Sequence, residues 1–333
     1  METNDQSCLG GCLVCGGALR PWLMVPCDWR RPDRSPGYQL GRCERCGFGQ
    51  VDPRPAANEI ADFYDVEDYY THAEAGARRG ERAGRWVDRL RLKLAWLCDR
   101  GVELDEGWFR ARLKPGARIC DVGCGSGGLL GRLARLGYEV TGVEPDPQAC
   151  AVAQRQVPQV FAGTAEEIPP EVQSRRFDCV VMAHVLEHTR EPRRALGQAA
   201  DLLAEGGLLV VETPNNDAEG LRRSGLLWPW LDVPRHLNFF TERSLRELSE
   251  GLGLKVLECQ FRGYTRQFNA RWIHREASIR EIYDRKTDGL SNGRPVLGSP
   301  HRGANAWQLL ATTAWASARR KYDSVRIVAV RSG

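Results

Sequence analysis

Five short apolar runs follow one another between residues 116 and 215, separated by glycine-rich turns and helical segments. They read ARICD, YEVTGV, VPQVFA, FDCVVMA and LLVVE. Apolar runs of this length that alternate with helices predict buried strands of a doubly wound, mostly parallel sheet. Two further runs near the C-terminus, LKVLECQF and SVRIVAV, bring the predicted strands to seven. The predicted fold class is therefore α/β, with a Rossmann-like seven-stranded sheet.

Two segments show helical periodicity. The first, RRALGQAADLLAEGG at 193–207, predicts one helix with Pro192 near its start and Gly206 after its end. The second lies within 80–100, where apolar side chains at helical spacing predict a helix that faces the core. Those side chains are Trp86, Leu90, Leu94 and Leu97.

Composition divides the chain into three parts. Residues 1–58 are rich in Gly, Pro and Arg and carry paired cysteines, which predicts a small zinc-binding module. Residues 59–115 contain the stretch ADFYDVEDYYTH and are predicted to form a helical linker or lid. Residues 116–333 hold the sheet, with an insertion at 262–321 that has 12 Lys/Arg against 4 Asp/Glu. We predict that this basic, helical insertion is the substrate region; a solvated helical face is the alternative.

Length and charge narrow the class of protein. The chain has 333 residues, 42% of them hydrophobic, which suffices for a substantial core. The net charge of +4 is too small to require a nucleic acid partner. The opening residues METNDQS lack the apolar segment of a signal peptide, and no apolar run is long enough to span a membrane. These features predict a cytoplasmic protein without a membrane partner.

Four cysteines form two knuckles, each followed by glycine. Cys12 and Cys15 make the first C-x-x-C-G, and Cys43 and Cys46 make the second after 27 intervening residues. The glycine allows the backbone to turn tightly around the thiolates, and two such pairs predict one tetrahedral zinc. A closed site of four cysteines has no open coordination position, so its predicted role is structural. Two unrelated reduced pairs are the alternative.

A glycine-rich loop follows the first strand of the predicted sheet. Its glycines, Gly123, Gly125 and Gly128, satisfy G-x-G-x-x-G, and Glu144 follows at the end of the next strand. This spacing is typical of NAD sites and of other adenosine-binding sites alike. Asp121 decides between them, because a carboxylate at the mouth of the loop repels a pyrophosphate and attracts a cationic ligand. S-adenosylmethionine (SAM) carries both an ammonium and a sulfonium.

With these residues in place, the stretches DVGCGSG, FDCVVMAHVLEH, GGLLVVETPN and LDVPRHLNFF resemble the class I SAM-dependent methyltransferases. They are most similar to the branch that includes the ubiquinone-biosynthesis O-methyltransferases. The resemblance covers roughly residues 116–261 and the last strand. It implies a set of cofactor-binding residues, among which Tyr70, with Tyr69, closes as a lid or only packs on the domain. The set comprises Asp121, Gly123, Cys124, Gly125, Glu144, Thr164, Ala165, Glu166 and Tyr70.

The stretch VMAHVLEHT also contains H-x-x-E-H, a metallopeptidase signature. That class of enzyme places both histidines on one helix, whereas FDCVVMA predicts a strand ending at His184. His184, His188 and His236 are instead candidate bases for an acceptor hydroxyl. In the resembling branch a Glu-x-x-Glu-His pattern here binds a divalent ion, but His184 replaces the first Glu, and histidine suits zinc better than magnesium. A structural hydrogen bond is a further alternative for His188.

The predicted function is SAM-dependent methyl transfer to the hydroxyl of a small molecule in a biosynthetic pathway. The charge balance of 262–321 predicts that this acceptor carries an anionic group. C- or N-methylation of a small molecule is one alternative. Another is methylation of RNA or protein gripped by the zinc module, although residues 1–58 lack the interleaved aromatic and basic residues of strand-binding surfaces. A SAM-binding subunit without catalytic activity is a third alternative.

Overall fold

A computed structural model describes residues 10–33, 37–64, 86–287 and 297–332. Its strands, numbered in chain order, are β1 (Leu19–Val25), β2 (Tyr38–Cys43), β3 (Gly49–Val51), β4 (Arg118–Val122), β5 (Glu139–Glu144), β6 (Val160–Ala162), β7 (Phe177–Ala183), β8 (Leu203–Pro214), β9 (Asn238–Phe239), β10 (Leu254–Arg262) and β11 (Ser324–Arg331). Seven of these strands form one sheet in the order β10-β11-β8-β7-β4-β5-β6.

The seven-stranded sheet is mostly parallel, as the sequence predicts. Strands β4 to β8 pair in parallel, and β11 enters antiparallel between β8 and β10. The carboxyl ends of β4, β5 and β7 therefore meet at one edge, where ligands bind in open α/β sheets.

The described residues form twelve α-helices, some of which cover the two faces of this sheet. They are α1 (Ala57–Phe63), α2 (Trp86–Cys98), α3 (Glu106–Arg110), α4 (Gly128–Arg135), α5 (Pro147–Gln156), α6 (Pro170–Gln173), α7 (Pro192–Asp201), α8 (Glu219–Ser224), α9 (Glu242–Glu250), α10 (Ala270–Thr287), α11 (Ala304–Thr313) and α12 (Ala318–Lys321). The predicted helical insertion before the last strand is confirmed, because α10, α11 and α12 lie between β10 and β11. Within the described ranges, no helix combines the length and apolarity needed to cross a bilayer.

Strand β7 shows how the sheet separates two cores. Val180 and Met182 lie in one buried cluster with Leu196 of α7. Val181 points the other way, into a cluster with Leu133 of α4. Successive side chains of a strand face opposite sides, so an apolar run without alternation fills both cores.

The cysteine-rich N-terminal region packs directly on the sheet domain. Strands β1, β2 and β3 form an antiparallel sheet that β9 completes through the pair Gly49 and Phe239. The rings of Phe48 and Phe240 lie 5.0 Å apart, and Cys43 and Cys46 belong to the main buried cluster. A strand pair therefore crosses the predicted boundary at residue 58.

Two helix predictions need correction. The helix predicted at 193–207 ends at Asp201, because Leu203 already pairs with Phe177 as part of β8. Gly206 has φ +70°, and a Cβ on Gly207 would lie 2.7 Å from the Phe177 carbonyl oxygen. The close backbone approach at this bulge thus prevails over the helical pattern of the sequence.

The helix predicted within 80–100 exists as α2, but it does not bury the predicted face. Trp86, Leu90 and Leu97 are exposed by 74%, 42% and 62%. The buried residues are Arg91 and Ala95, one turn apart on another face. Ala95 is small and packs in a cluster that includes Tyr264 and Phe268, so a close helix approach decides the orientation.

Candidate functional site

The glycine loop after β4 presents bare backbone at the carboxyl edge of the sheet. The amides of Gly123 and Cys124 donate to the Val143 carbonyl at 2.7 and 3.1 Å, which ties the loop to β5. Gly123 has φ +77°, and a Cβ there would lie 2.5 Å from Cγ2 of Val185. Gly127, at φ +78°, caps the start of α4. The glycines therefore leave open backbone at which a ligand can approach the loop closely.

Two buried carboxylates flank the loop. Asp121 and Glu144 are each 4% exposed. Glu144 accepts hydrogen bonds from the Gly125 amide at 2.7 Å and the Asp146 amide at 3.0 Å, which fix its carboxylate. Burial, together with the charge of Glu144, raises the pKa of Asp121 to about 7, and burial also raises the pKa of Glu144. This acidic pair suits a ligand with a cationic group and hydroxyls, and a bound cation would relieve the repulsion.

The other predicted cofactor residues differ in their surroundings. The Gly163 amide donates to the Glu144 carbonyl at 3.2 Å, so Thr164 follows directly at the same edge. Ala165 belongs to the main core, and the Glu166 carboxylate accepts from the Glu191 amide at the start of α7. The Cys124 side chain packs inward in a buried cluster, which leaves its backbone on the loop. Tyr69 and Tyr70 lie outside the described residues.

His184 directly follows β7, and both of its ring nitrogens lie near buried carboxylates. Its Nδ1 donates to Glu187 Oε1 at 3.1 Å, and its Nε2 lies 3.2 Å from Glu212 Oε1. The ring stacks on Trp230, with centroids 5.3 Å apart. Burial alone would lower the pKa of His184, but the bonds to both glutamates raise it to about 9. At neutral pH the ring is a cation and is a poor proton acceptor.

Glu212 is a site residue that the sequence reasoning missed. It is 2% exposed and also meets Arg326 Nη2 at 2.5 Å and Arg262 Nε at 3.1 Å. Three cationic groups surround it, so the pKa of Glu212 is well below its usual value despite burial. The sequence signal for Glu212 is its position in VVETP, near the end of a predicted strand. Its partners come from distant segments of the chain.

His188 and His236 form a second, uncharged pair. Their rings meet edge to face with centroids 4.7 Å apart. The Nδ1 of His236 donates to the Trp230 carbonyl at 2.6 Å, and the Nδ1 of His188 lies 3.1 Å from the Arg235 carbonyl. Burial lowers the pKa of each ring to about 4. The carbonyl contacts place the proton on Nδ1, so Nε2 carries the lone pair in each ring.

The start of the predicted lid reaches this pair. Tyr64, which follows α1, places its hydroxyl 3.0 Å from His188 Nδ1. Tyr64 lies in the aromatic and acidic stretch ADFYDVEDYYTH, where no motif distinguishes it from the other tyrosines.

The H-x-x-E-H string does not lie on one helix. His184 has φ +59° and follows a strand, while Leu186–His188 forms a single 3-10 turn. The prediction that His184 lies at the end of a strand, and not on one helix with His188, is therefore confirmed.

A buried ion-pair network fixes the loop that carries His236. Arg235 contacts Asp28 at 2.6 Å and Asp232 at 2.9 Å, and all three side chains are buried. Arg30 adds a further bond to Asp232 at 2.9 Å. Asp28 and Arg30 come from the N-terminal region, which thereby positions the histidine loop.

The four knuckle cysteines converge as predicted. The Sγ atoms of Cys12 and Cys46 lie 3.5 Å apart, as do those of Cys15 and Cys43, and all four lie within 4.8 Å of one another. The amides of Gly16 and Gly47 donate back to the first cysteine of each knuckle. The donor set and spacing fit a tetrahedral zinc ion.

Comparisons with known proteins agree with this geometry. Residues 97–259 match the family model described as "Methyltransferase domain". The chain is 32% identical over 155 residues to the ubiquinone biosynthesis O-methyltransferase of Rhodopseudomonas palustris (strain BisB5), which covers 43% of this chain and 60% of that protein. It is 37% identical over 117 residues to the enzyme of the same name from Xanthomonas axonopodis pv. citri (strain 306), which covers 32% of this chain and 48% of that protein.

The chain thus spans less than two thirds of the length of these relatives. Among solved structures, magnesium protoporphyrin IX methyltransferase from Synechocystis PCC 6803 with bound SAH aligns over 76% of this chain and 90% of its own, with 17% identity and a TM-score of 0.42. The family match and the sequence identity together show that residues 97–259 form a class I SAM-dependent methyltransferase domain.

Proposed function

We propose that this protein transfers the methyl group of SAM to a hydroxyl of a small molecule. One observation carries the proposal: the buried Asp121 and Glu144 flank a glycine loop that cannot accept a side chain at Gly123. The histidines of the H-x-x-E-H stretch lie at the same edge of the sheet, after β7.

Each proposed cofactor residue contacts a different part of SAM along this edge of the sheet. Asp121 attracts the ammonium of SAM, the amides and open backbone of Gly123 and Gly125 admit its methionine portion, and Glu144 accepts the ribose hydroxyls. Thr164 and the backbone that follows border the adenine. When bound, SAM supplies an electrophilic methyl group on a sulfonium.

The acceptor side consists of His184, Trp230, His188 and His236. During transfer the bond from sulfur to the methyl carbon breaks as the bond from the acceptor oxygen forms, and the hydroxyl proton passes to a histidine Nε2 and from there to water. We assign activation of that hydroxyl to His188 and His236, whose Nε2 atoms carry lone pairs. His184 is a positioning residue, because its two nitrogens already face Glu187 and Glu212.

The likeness to the ubiquinone biosynthesis enzymes favours oxygen as the acceptor atom, over the matched part of the chain. Packing of the cysteine module on the sheet domain favours a structural role for it, with zinc held by Cys12, Cys15, Cys43 and Cys46. A structural role for the module favours a small-molecule acceptor over RNA or protein held by the module. A cytoplasmic location is part of the same proposal.

Few of the described residues support the proposal that the acceptor carries an anionic group. Many described cations of 262–321 have acidic partners within the protein, such as Arg319 with Asp217 and Arg320 with Glu219. Arg266 lies beside the proposed acceptor site, because its guanidinium is 5.0 Å from the Trp230 ring, and it pairs with Asp323. We propose that Arg266 meets the anionic group.

The experiment uses methyl-labelled SAM and hydroxylated small molecules in matched neutral, carboxylated and phosphorylated forms. The proposal expects a labelled O-methyl product, identified by mass spectrometry, and faster turnover of the anionic forms. Label on carbon or nitrogen would overturn the assignment of oxygen. Equal turnover of neutral and anionic forms, unchanged by Arg266→Gln, would overturn the role of Arg266.

A further inference from the structure

The Glu-x-x-Glu-His pattern of the resembling branch does not fit this chain. His184 occupies the position of the first glutamate; its Nδ1 donates to Glu187 Oε1, and its Nε2 lies 3.2 Å from Glu212 Oε1. Neither nitrogen is therefore available to complete a magnesium site, and an oxygen donor is missing from the set.

A different donor set assembles next to it. Glu187, His188 and His236 each offer one ligand atom, and these atoms lie within 4.8 Å of one another. Glu187 and His236 are 1% and 2% exposed. The first two residues come from the 3-10 turn after β7, and the third comes from the loop fixed by the Asp28, Asp232 and Arg235 network.

The surroundings of these donors resemble those of metal ligands. The Nδ1 atoms of His188 and His236 contact backbone carbonyls, an arrangement that fixes the ring and leaves Nε2 as the ligand atom. Glu187 Oε2 is buried and has no hydrogen-bond partner among the described residues. An unpartnered buried carboxylate oxygen is costly unless a cation or donor satisfies it.

We infer that Glu187, His188 and His236 bind a transition-metal ion in a second metal site, separate from the four cysteines. Two imidazoles and one carboxylate are the donor set of zinc and ferrous sites, and they disfavour magnesium. Ligand bonds of about 2.1 Å place tetrahedral donors about 3.4 Å apart, so small side-chain rotations close the observed spacing.

This inference deepens the proposed function by naming how the histidine pair acts. With an ion on the two Nε2 atoms, the histidines would act through the ion and not as bases: its Lewis acidity would lower the pKa of a coordinated hydroxyl, whose proton would pass to water. The inference is tested by metal content, however, so its failure is distinguishable from failure of methyl transfer.

The experiment measures metal per chain and the spectrum of added Co²⁺. The full-length protein, with zinc retained in the cysteine site, is titrated with Co²⁺ and passed through gel filtration. We expect a second metal equivalent whose d–d absorption lacks thiolate charge-transfer bands.

Three histidine variants define the ligands, and the exposed His274 supplies a matched control. His188→Asn and His236→Asn keep a donor near Nδ1 but remove Nε2, and each should weaken Co²⁺ binding about 100-fold or more. His184→Asn and His274→Asn should retain the second equivalent. Circular dichroism identifies the variants that fold. One folded variant of the two, His188→Asn or His236→Asn, is enough for the test. Absence of a second equivalent in the unmodified protein, or its loss in His184→Asn but not in His236→Asn, would overturn the inference.

Discussion

His184 Nε2 lies 3.2 Å from Glu212 Oε1, across the carboxyl ends of the neighbouring strands β7 and β8. The contact joins the H-x-x-E-H stretch to a carboxylate that also holds Arg262 and Arg326. Glu212 and Arg326 are buried, and the side chains of His184 and Arg262 are 23% and 24% exposed, so the network forms a polar wall beside the proposed acceptor site.

Removing the charge of Glu212 should destabilise the fold strongly. In Glu212→Gln the cations of His184, Arg262 and Arg326 lose their shared counter-charge in a buried setting. Breaking a buried ion pair in this way costs about 3–5 kcal/mol of unfolding free energy. Urea unfolding measures the loss.

Glu258→Gln is the matched control for this substitution. Glu258 lies on β10 and pairs with Arg112 at 3.0 Å, but its side chain is 44% exposed. Its loss should change the unfolding free energy by less than about 1 kcal/mol. Equal effects of both substitutions would contradict the role given to the Glu212 network.

Gly123→Ala should impair both folding and SAM binding. The new Cβ would lie 2.5 Å from Val185 Cγ2, at a backbone φ of +77° that side chains rarely adopt. The left-handed conformation costs about 1–2 kcal/mol, and the overlap adds to that cost. Differential scanning fluorimetry with and without SAM measures both effects.

Gly128→Ala is the control in the same loop. Its Cβ would meet no atom within 4 Å, and it opens a helix, so the melting temperature should hold or rise. Adding Val185→Ala to Gly123→Ala should recover part of the loss. A Gly123→Ala protein with unchanged stability and SAM affinity would refute the tight loop.

SAM affinity should rise with pH through the titration of Asp121. Burial and Glu144 raise the pKa of Asp121 to about 7, while Arg132 of α4 acts in the opposite direction. Below that pH the free protein holds a neutral Asp121, and the SAM ammonium must displace its proton. Affinity should therefore weaken by up to about tenfold per pH unit below 7.

Calorimetry between pH 5.5 and 8.5 measures this profile. The other titratable groups around Asp121 are Glu144 and the thiols of Cys120, Cys124 and Cys179. Asp121→Asn should bind weakly at every pH and should flatten the slope. A slope that persists in Asp121→Asn would assign the titration to another group.

Zinc should be bound by the four converging cysteines. Cys43→Ser should lower the zinc content and expose the module to proteolysis, because metal binding there contributes directly to folding. Cys98→Ser, a thiol outside the cluster, should leave the zinc content unchanged. Elemental analysis decides, and full zinc retention in Cys43→Ser would contradict the site.

The fold and the cofactor edge could be predicted because they follow from local patterns. Apolar runs specify the strands, and the glycines with Asp121 and Glu144 stand at the ends of two of them. The cysteine knuckles likewise carry their spacing in the sequence. These features need no knowledge of long-range packing.

The acceptor side could not be predicted in the same way. Glu212 becomes part of the site through its contacts with Arg262 and Arg326, which lie 50 and 114 residues further along the chain. The string H-x-x-E-H joins His184 to Glu187 and His188, whereas the structure turns His184 away and brings in His236. Tertiary packing, and not spacing along the chain, decides these partners.

Equilibrium binding of SAM by isothermal titration calorimetry, in competition with NAD⁺, tests the assignment of the glycine loop. The carboxylate pair predicts one SAM per chain, displaced by S-adenosylhomocysteine, abolished by Asp121→Ala and unaffected by NAD⁺. Binding of NAD⁺ with no heat from SAM would contradict the proposed cofactor and, with it, the proposed methyl transfer.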